Sequence, residues 1–194
     1  MDAAAVILLM VEAVMALLLL YFDGLLKKPV QVLTCAGLVA AAFVLRALFF
    51  SYETLDYQDF LARWVQYFRD NGGFKALAFF PGNYNPPYMY FLAAFSYFGI
   101  SELYLIKLLS VLFDVLLAWS CIKLLSLYTG SKAKQLGVFL AVLYLPTVVT
   151  NGAYWAQCDS IYAFFGIFAL YLGLSEKGVG AMISLCLLYT SDAA

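Results

Sequence analysis

Long, uninterrupted runs of apolar residues constrain this chain more than any other feature. Five of them are candidates to cross a bilayer: residues 3–22, 30–50, 103–125, 136–149 and 161–174. A helix needs about 20 consecutive apolar residues to span the hydrocarbon core. The chain is 65% hydrophobic over 194 residues, more than a soluble domain of this size requires. The sequence therefore predicts an all-α, polytopic helical membrane protein.

Lysine positions predict how these runs are oriented. Basic residues follow the spans at three places: Lys27 and Lys28, then Lys123, Lys132 and Lys134, then Lys177. Positive charge marks the cytoplasmic side of a membrane protein. All three clusters lie on that side only if the short aromatic run at 88–100 does not cross. We therefore expect residues 51–102 to form one long external loop that carries interfacial helices.

The amino-acid composition excludes several kinds of site. Histidine is absent, so the usual general base and the commonest metal ligand are missing, and acid–base chemistry must come from carboxylates. The four cysteines are isolated and show no C-x-x-C spacing, which argues against a zinc site or a disulfide framework. No basic patch suits nucleic acid, and we expect no nucleic-acid partner.

Two short polar segments interrupt the apolar chain. The first polar segment, residues 53–59, and the second polar segment, residues 155–160, each follow the end of a hydrophobic run. Both carry carboxylates beside the hydrocarbon, where an acid is costly and is by default a functional candidate. The expected topology places both segments on the external side. The sequence therefore predicts one site at the membrane boundary that both segments form.

The external loop is expected to begin with an amphipathic helix over residues 56–69. Four residues share one face at the helical period, and we expect this face to point inward: Asp56, Phe60, Trp64 and Tyr67. Asp59 and Arg63 stand four residues apart on a different face, which suits a solvated ion pair. This arrangement favours Asp56 over Asp59 as the functional acid.

The order and spacing of several motifs resemble one protein family. The motifs are Asp56-Tyr57-x-x-Phe60-Leu61-x-x-Trp64, Gly72-Gly73, Asn83-Tyr84-Asn85-Pro86-Pro87-Tyr88-Met89-Tyr90, and Trp155-x-Gln157-Cys158-Asp159-Ser160. Together they are similar to bacterial mannosyltransferases related to those of glycosylphosphatidylinositol synthesis, in the C superfamily of integral-membrane glycosyltransferases. The resemblance covers roughly residues 30–175. The family often has glycine where this chain has Ala156.

The resemblance implies an activity and a location. Family members take a sugar from a polyprenyl-phosphate donor, and they place a catalytic acid in the first external loop after a spanning helix. By position that acid is Asp56. The resemblance also implies a multi-pass protein of the bacterial plasma membrane whose partners are membrane lipid and the lipid-linked donor. It leaves open the sugar, and whether the acceptor is a glycan, a lipid or a protein.

The family pattern contains more helices than this chain. We therefore expect residues 1–185 to be the N-terminal part of a transmembrane glycosyltransferase domain. Residues 186–194 resemble one reading frame of a transposon end used in sequencing libraries, and we expect them to be an adaptor artefact.

The expected chemistry assigns roles to further residues. A carboxylate takes the proton from the acceptor hydroxyl as it attacks, and a cation holds the departing phosphate. For the phosphate the candidates are Lys107, near the external end of its span, and Arg46, for which a pair with Glu53 or Asp56 is the alternative. The candidates for contacts to the substrate are Glu53, Trp64, Tyr84, Asn85, Tyr88, Trp155, Gln157 and Asp159. A single displacement predicts inversion at the anomeric carbon.

Other interpretations stay open at this point. Lys107 could instead be a lysine whose side chain snorkels to the interface. Asp114 is interpreted as a buried structural partner. Asp56 and Asp159 could share a divalent cation, since hard cations take carboxylate oxygens, but no cofactor follows with certainty. The alternative function is a polytopic transporter, or a protein that binds lipid-linked sugar, in which Lys107 and Asp114 form a coupling pair.

Overall fold

The computed structural model describes residues 1–80, 82 and 86–191, and every regular element in this part of the chain is a helix. The α-helices are α1 (Ala3–Phe22), α2 (Pro29–Ala47), α3 (Ala62–Asp70), α4 (Pro86–Phe95), α5 (Glu102–Ser126), α6 (Lys132–Leu143), α7 (Pro146–Val149), α8 (Asp159–Leu174) and α9 (Gly178–Ser191). Two π-helical turns (Tyr57–Leu61 and Thr150–Tyr154) and a 3₁₀ helix (Gly73–Phe79) complete the set. The all-α prediction is confirmed.

Three helices are long and apolar enough to cross a membrane: α1, α2 and α5. The first has the bounds that the hydrophobic run predicts, and the other two differ from their runs by a few residues. Helix α5 is the central one, since 72% of its apolar window is buried within the protein, against 22% in α1 and 28% in α2. Helices α1, α6 and α8 pack against α5.

The run at 136–149, predicted as a candidate span, is not one straight helix. Helix α6 ends at Leu143, Leu145 adopts an extended conformation (φ −60°, ψ 121°), and Pro146 begins α7. Proline lacks an N–H and disfavours helical geometry in the residue before it. The pair formed by α6 and residues Pro146–Tyr154 is bent by 46°, so it is a broken span or a re-entrant segment.

One end of the helices, which we call the basic end, gathers the lysine-bearing connections. Lys123 Nζ and Trp119 Nε1 each donate to the Asp23 carboxylate at 2.8 Å. Lys132 Nζ donates to the Asp23 carbonyl at 3.3 Å. The turn after α1, the end of α5 and the start of α6 therefore lie together, as the lysine pattern predicts.

The opposite end, which we call the loop end, holds residues 51–101. The chain leaves and returns at this end, because the Ser51 and Tyr104 hydroxyls lie 3.5 Å apart and Arg69 pairs with Glu102 at 3.4 Å. Helix α4 has only 10 residues, about 15 Å of rise, whereas the hydrocarbon core is about 30 Å thick. The prediction of one long loop that carries short helices agrees with this arrangement.

The inward face of the first loop helix differs from the prediction by one position. The buried residues are Tyr57, Leu61, Val65 and Phe68, whereas Phe60 is 50% exposed and Asp56, Trp64 and Tyr67 are half-buried. Both sets have the same spacing, so periodicity alone could not choose between them. The set with aliphatic members was buried, and Asp56 lies at the edge of the buried face. The helix ends at Asn71, followed by Gly72 in the left-handed conformation (φ 85°).

Helices α8 and α9 form an antiparallel pair. An added Cβ at Gly173 would contact Ala181, and one at Gly166 would contact Leu188, so the two helices approach closely along their length. Helix α9 continues to Ser191 and thus includes part of the 186–194 segment, of which residues 192–194 lie outside the described chain.

Candidate active site at the loop end

The two polar segments meet, although they are about a hundred residues apart in sequence. Gln157 Nε2 donates a hydrogen bond to the Asp56 carboxylate. Thr54 Oγ1 donates to the Trp155 carbonyl at 3.4 Å. These two contacts join the start of the external loop to the turn before α8, so a shared site is geometrically available.

A local turn fixes Asp56 at the edge of the loop helix. The Tyr57 amide donates to Thr54 Oγ1 at 3.3 Å, and the Gln58 amide donates to the Thr54 carbonyl at 3.1 Å. Asp56 itself is half-buried, which leaves part of its carboxyl group accessible. Burial, together with the charges of Glu102 and Glu53, raises the pKa of Tyr57 above its usual range. The neighbouring phenol therefore stays protonated.

A strained turn aims Gln157 at Asp56. Ala156 is buried and has φ 61°, in the left-handed region where side chains other than glycine cost about 1–2 kcal/mol. The backbone amides of Ala156 and Gln157 donate to the carbonyls of Gly152 and Asn151 at 3.2 and 3.0 Å. The π-helical turn Thr150–Tyr154 thus supplies the carbonyls that hold this conformation.

Helix α5 supports the second polar segment from behind. Ser110 Oγ donates to the Gln157 carbonyl at 2.7 Å. Gly152 approaches the same helix so closely that an added Cβ would lie 3.2 Å from Ser110 Cβ. Ser110 lies three residues after Lys107, so the two side chains project from the same turn of α5.

Lys107 is fully buried beside the first polar segment. Its Nζ donates to the carbonyls of Phe49 and Tyr52 at 2.8 and 2.6 Å. These carbonyls belong to the turns that follow α2, and Glu53 is the nearby negative charge. An ammonium has three N–H donors, and the two carbonyls accept two of them. Lys107 thus anchors the chain just before the first polar segment.

Arg46, the second candidate for the phosphate, is enclosed elsewhere and is not brought to Asp56. Its guanidinium donates to Asp114 Oδ2 from Nε at 3.1 Å and from Nη2 at 3.0 Å, and to the Leu143 carbonyl from Nη1 at 2.9 Å. Ser160 Oγ donates to the other Asp114 oxygen at 2.5 Å. Arg46 and Asp114 have no exposed surface. Asp114 is therefore the buried partner that the sequence suggested, and its partner is Arg46.

Sequence reasoning missed Glu12, which lies near this pair. Its Oε2 atom is buried and has no hydrogen-bond partner among the described residues, and both Asp114 and Arg46 act on it electrostatically. The sequence does indicate such a contact. Glu12 is the one carboxylate inside the first apolar run, and charged residues within membrane spans usually pair with one another.

The other candidates for substrate contacts occupy several environments. Glu53 is exposed and accepts from Gln58 Nε2 at 3.1 Å, and Trp155 is 51% exposed. Asp159 lies in the first turn of α8 and accepts from Asn151 Nδ2 at 2.7 Å. Glu53 belongs to the first polar segment, and Trp155 and Asp159 belong to the second.

Two aromatic candidates contribute mainly to packing. Tyr88 is 3% exposed and belongs to the core between the loop helices, α5 and α8. The Trp64 ring lies against Phe60 and Phe80, with centroids at 5.9 and 5.7 Å. Tyr84 and Asn85 lie outside the described residues.

Within residues 1–80, 82 and 86–191, no group of three or more Asp, Glu, Cys or His side chains is placed to hold a metal ion. Burial, together with the charge of Asp159, raises the pKa of Cys158 to about 12, so this cysteine is a packed thiol. Comparison with protein-family models, curated proteins and solved structures finds no match to this chain.

Proposed function

We propose that this chain belongs to an inverting glycosyltransferase, a multi-pass protein of the bacterial plasma membrane. It transfers a hexosyl group, mannose by the resemblance, from a polyprenyl phosphate to an acceptor hydroxyl, and Asp56 is the general base. One observation supports this most: the half-buried Asp56 carboxylate is held by the Gln157 amide from the second polar segment. An amide donor orients a carboxylate and leaves it a proton acceptor.

The reaction is a single displacement. The acceptor oxygen attacks the anomeric carbon while Asp56 takes its proton, and the bond between that carbon and the phosphate oxygen breaks. The electron pair of that bond leaves with the polyprenyl phosphate. The configuration at the anomeric carbon is inverted because attack and departure occur on opposite faces.

Lys107 is the proposed cation for the departing phosphate. Its Nζ is held by the Phe49 and Tyr52 carbonyls just before the first polar segment, and its third N–H remains for an anionic oxygen. Arg46 is left out of the proposed site, because Asp114 and backbone carbonyls accept its hydrogen bonds. Glu53, Trp155 and Asp159 are proposed to contact sugar hydroxyls at the edge.

The test compares two acids that are three residues apart. In the protein reconstituted in lipid with polyprenyl-phosphate mannose and a mannoside acceptor, Asp56→Asn should lower turnover by about a hundredfold or more. The matched control Asp59→Asn should change turnover less than twofold, since its partner Arg63 lies on the solvated face. Equal losses in both variants would contradict the assignment of the base.

The transporter alternative rested on a coupling pair between Lys107 and Asp114. In the described structure the two residues have separate partners, the carbonyls after α2 for Lys107 and Arg46 for Asp114. No observation favours that alternative, so the glycosyltransferase is the only function proposed.

A further inference from the structure

Two serine hydroxyls attach the second polar segment to one strip of helix α5. Ser110 Oγ donates to the Gln157 carbonyl at 2.7 Å, and Ser160 Oγ donates to the Asp114 carboxylate at 2.5 Å. Ser110 and Asp114 are four residues apart in α5, so they lie on the same face of this helix. The segment that carries Gln157 is therefore fixed to a buried surface at two points, one helical turn apart.

The bond from Ser110 leaves its own helix, although a local acceptor is within reach. A serine hydroxyl has one hydrogen, and inside a helix it often donates to a carbonyl of the preceding turn. Ser120 does so, at 2.7 Å from the Leu117 carbonyl. Ser110, which is 1% exposed, lies 3.1 Å from the Ile106 carbonyl but 2.7 Å from that of Gln157. The shorter of its two contacts is thus the one that holds the turn.

The turn also approaches α5 closely at Gly152. An added Cβ at this position would lie 3.2 Å from Ser110 Cβ and 3.5 Å from the Asp114 carboxylate. The Gly152 carbonyl accepts from the amide of Ala156, the residue in the left-handed conformation. A displacement of Gly152 from α5 is therefore passed through this hydrogen bond to the neighbouring Gln157.

We propose that Ser110 is a positioning residue: it fixes the backbone of Gln157, so that the Gln157 side-chain amide orients the Asp56 carboxylate. Ser110 is buried behind the turn and acts through Gln157. A general base must lie within hydrogen-bond reach of the proton that it takes, and small displacements of such a group lower the rate strongly. The role of Ser110 in turnover rests on the proposed function, whereas its effect on the turn does not.

The first measurement reads the turn without any chemistry. In the purified full chain in lipid nanodiscs, Ser110→Ala should speed hydrogen exchange at the Ala156 and Gln157 amides about fivefold, the size expected for one lost hydrogen bond. The matched control is Ser120→Ala, because this buried hydroxyl bonds only within α5, and exchange at the two amides should change less than about twofold. Unchanged exchange in Ser110→Ala would overturn the proposal.

A second variant loosens the same contact while keeping the hydroxyl. Gly152→Ala inserts a methyl group between the turn and α5 and should speed exchange at the same two amides. Its control is Gly137→Ala in α6, where an added Cβ would meet no atom of the described chain within 4 Å. This pair decides the question if Ser110→Ala does not fold, and slow exchange in Gly152→Ala would then overturn the proposal.

The last measurement separates a positioning role from a structural one. With polyprenyl-phosphate mannose and a mannoside acceptor, Ser110→Ala should lower kcat about tenfold and leave KM nearly unchanged, because orientation of the base matters in the transition state. Added to Gln157→Ala, it should cost less than about a further twofold, since Ser110 acts through Gln157. Losses that multiply would overturn the proposal.

The Asp56→Asn variant distinguishes the two possible failures. If Asp56→Asn kept wild-type turnover, the proposed base would be wrong, and with it the role of Ser110 in turnover, but the exchange result would stand. A normal kcat in Ser110→Ala beside a slow Asp56→Asn would overturn the role of Ser110 alone.

Discussion

Asp56 and Asp114 are two carboxylates that the same short segment contacts with opposite results. Gln157 donates to Asp56 and Ser160, three residues later, donates to Asp114. Asp114 also receives two hydrogen bonds from Arg46 and has no exposed surface, whereas Asp56 is half-buried. The comparison shows that one acid of this apolar chain is fully buried and saturated with donors, whereas the other is left partly exposed with one amide donor.

The largest expected effect is on stability, and it tests the structural role of Asp114. Asp114→Ala leaves the Arg46 guanidinium buried without its counter-charge, and removing one partner of a buried ion pair costs about 3–5 kcal/mol. The free energy of unfolding in detergent should fall by that amount. The double variant Arg46→Met with Asp114→Leu should recover most of the loss, because apolar replacement of a whole buried pair is often neutral.

Asp56→Asn is the matched control for this measurement. Since Asp56 is half-buried and bonded to an amide, its variant should unfold within about 0.5 kcal/mol of wild type, the range usual away from special features. If Asp56→Asn lowered the free energy of unfolding as much as Asp114→Ala, both acids would be needed for stability. The proposed division between structure and chemistry would then be wrong.

The second prediction tests whether Lys107 only stabilises the fold or also binds the donor phosphate. Lys107→Met removes the donor from the carbonyls of Phe49 and Tyr52, and a buried acceptor left unsatisfied costs about 1–3 kcal/mol. If Lys107 also holds the donor phosphate, folded Lys107→Met should bind polyprenyl-phosphate mannose more weakly, and Lys107→Arg should retain part of the affinity. Unchanged donor affinity in folded Lys107→Met would leave Lys107 with a structural role only.

Much of this architecture could be predicted from local sequence. The first apolar run matches α1 exactly, Pro86 begins α4, and Asn71 with Gly72 ends α3. These features depend on run length and on the backbone limits of proline and glycine, which act within a few residues. Lysine placement predicted one loop over residues 51–102, and the two ends of this segment do lie at the same end of the helices.

The features that sequence reasoning missed depend on contacts between distant residues. Arg46 was predicted near the phosphate from its position close to the external end of its apolar run. Its actual partner, Asp114, lies on α5, and the sequence around Arg46 does not reveal that contact. The predicted inward face of the first loop helix was wrong by one position because two sets of residues have the same helical spacing, and only contacts with other elements decide which set is buried. Pro146 alone predicts a break in the helix. The apolar residues on both sides of it favoured the interpretation of one uninterrupted run.

The third prediction concerns the turn that brings Gln157 to Asp56. Ala156 has φ 61°, so Ala156→Gly should relieve strain and stabilise the protein by about 1 kcal/mol, partly offset by the greater freedom of glycine when unfolded. The control Ala62→Gly, at φ −61° within a helix, should instead destabilise by about 0.5–1 kcal/mol. Destabilisation in both variants would contradict the left-handed turn.

The smallest expected effect returns to Asp59, which lies one helical turn from Asp56. Asp59 and Arg63 form an ion pair at 3.1 Å, with side chains that are 56% and 73% exposed. Pairs of this kind contribute about 0.3–0.5 kcal/mol, and salt screens them. A double-mutant cycle with Asp59→Asn and Arg63→Gln should give a coupling energy of that size that falls in high salt. A coupling above about 1 kcal/mol that persists in salt would mean that this face is covered in the membrane. Asp59→Asn would then not be a valid solvent-exposed control for Asp56→Asn.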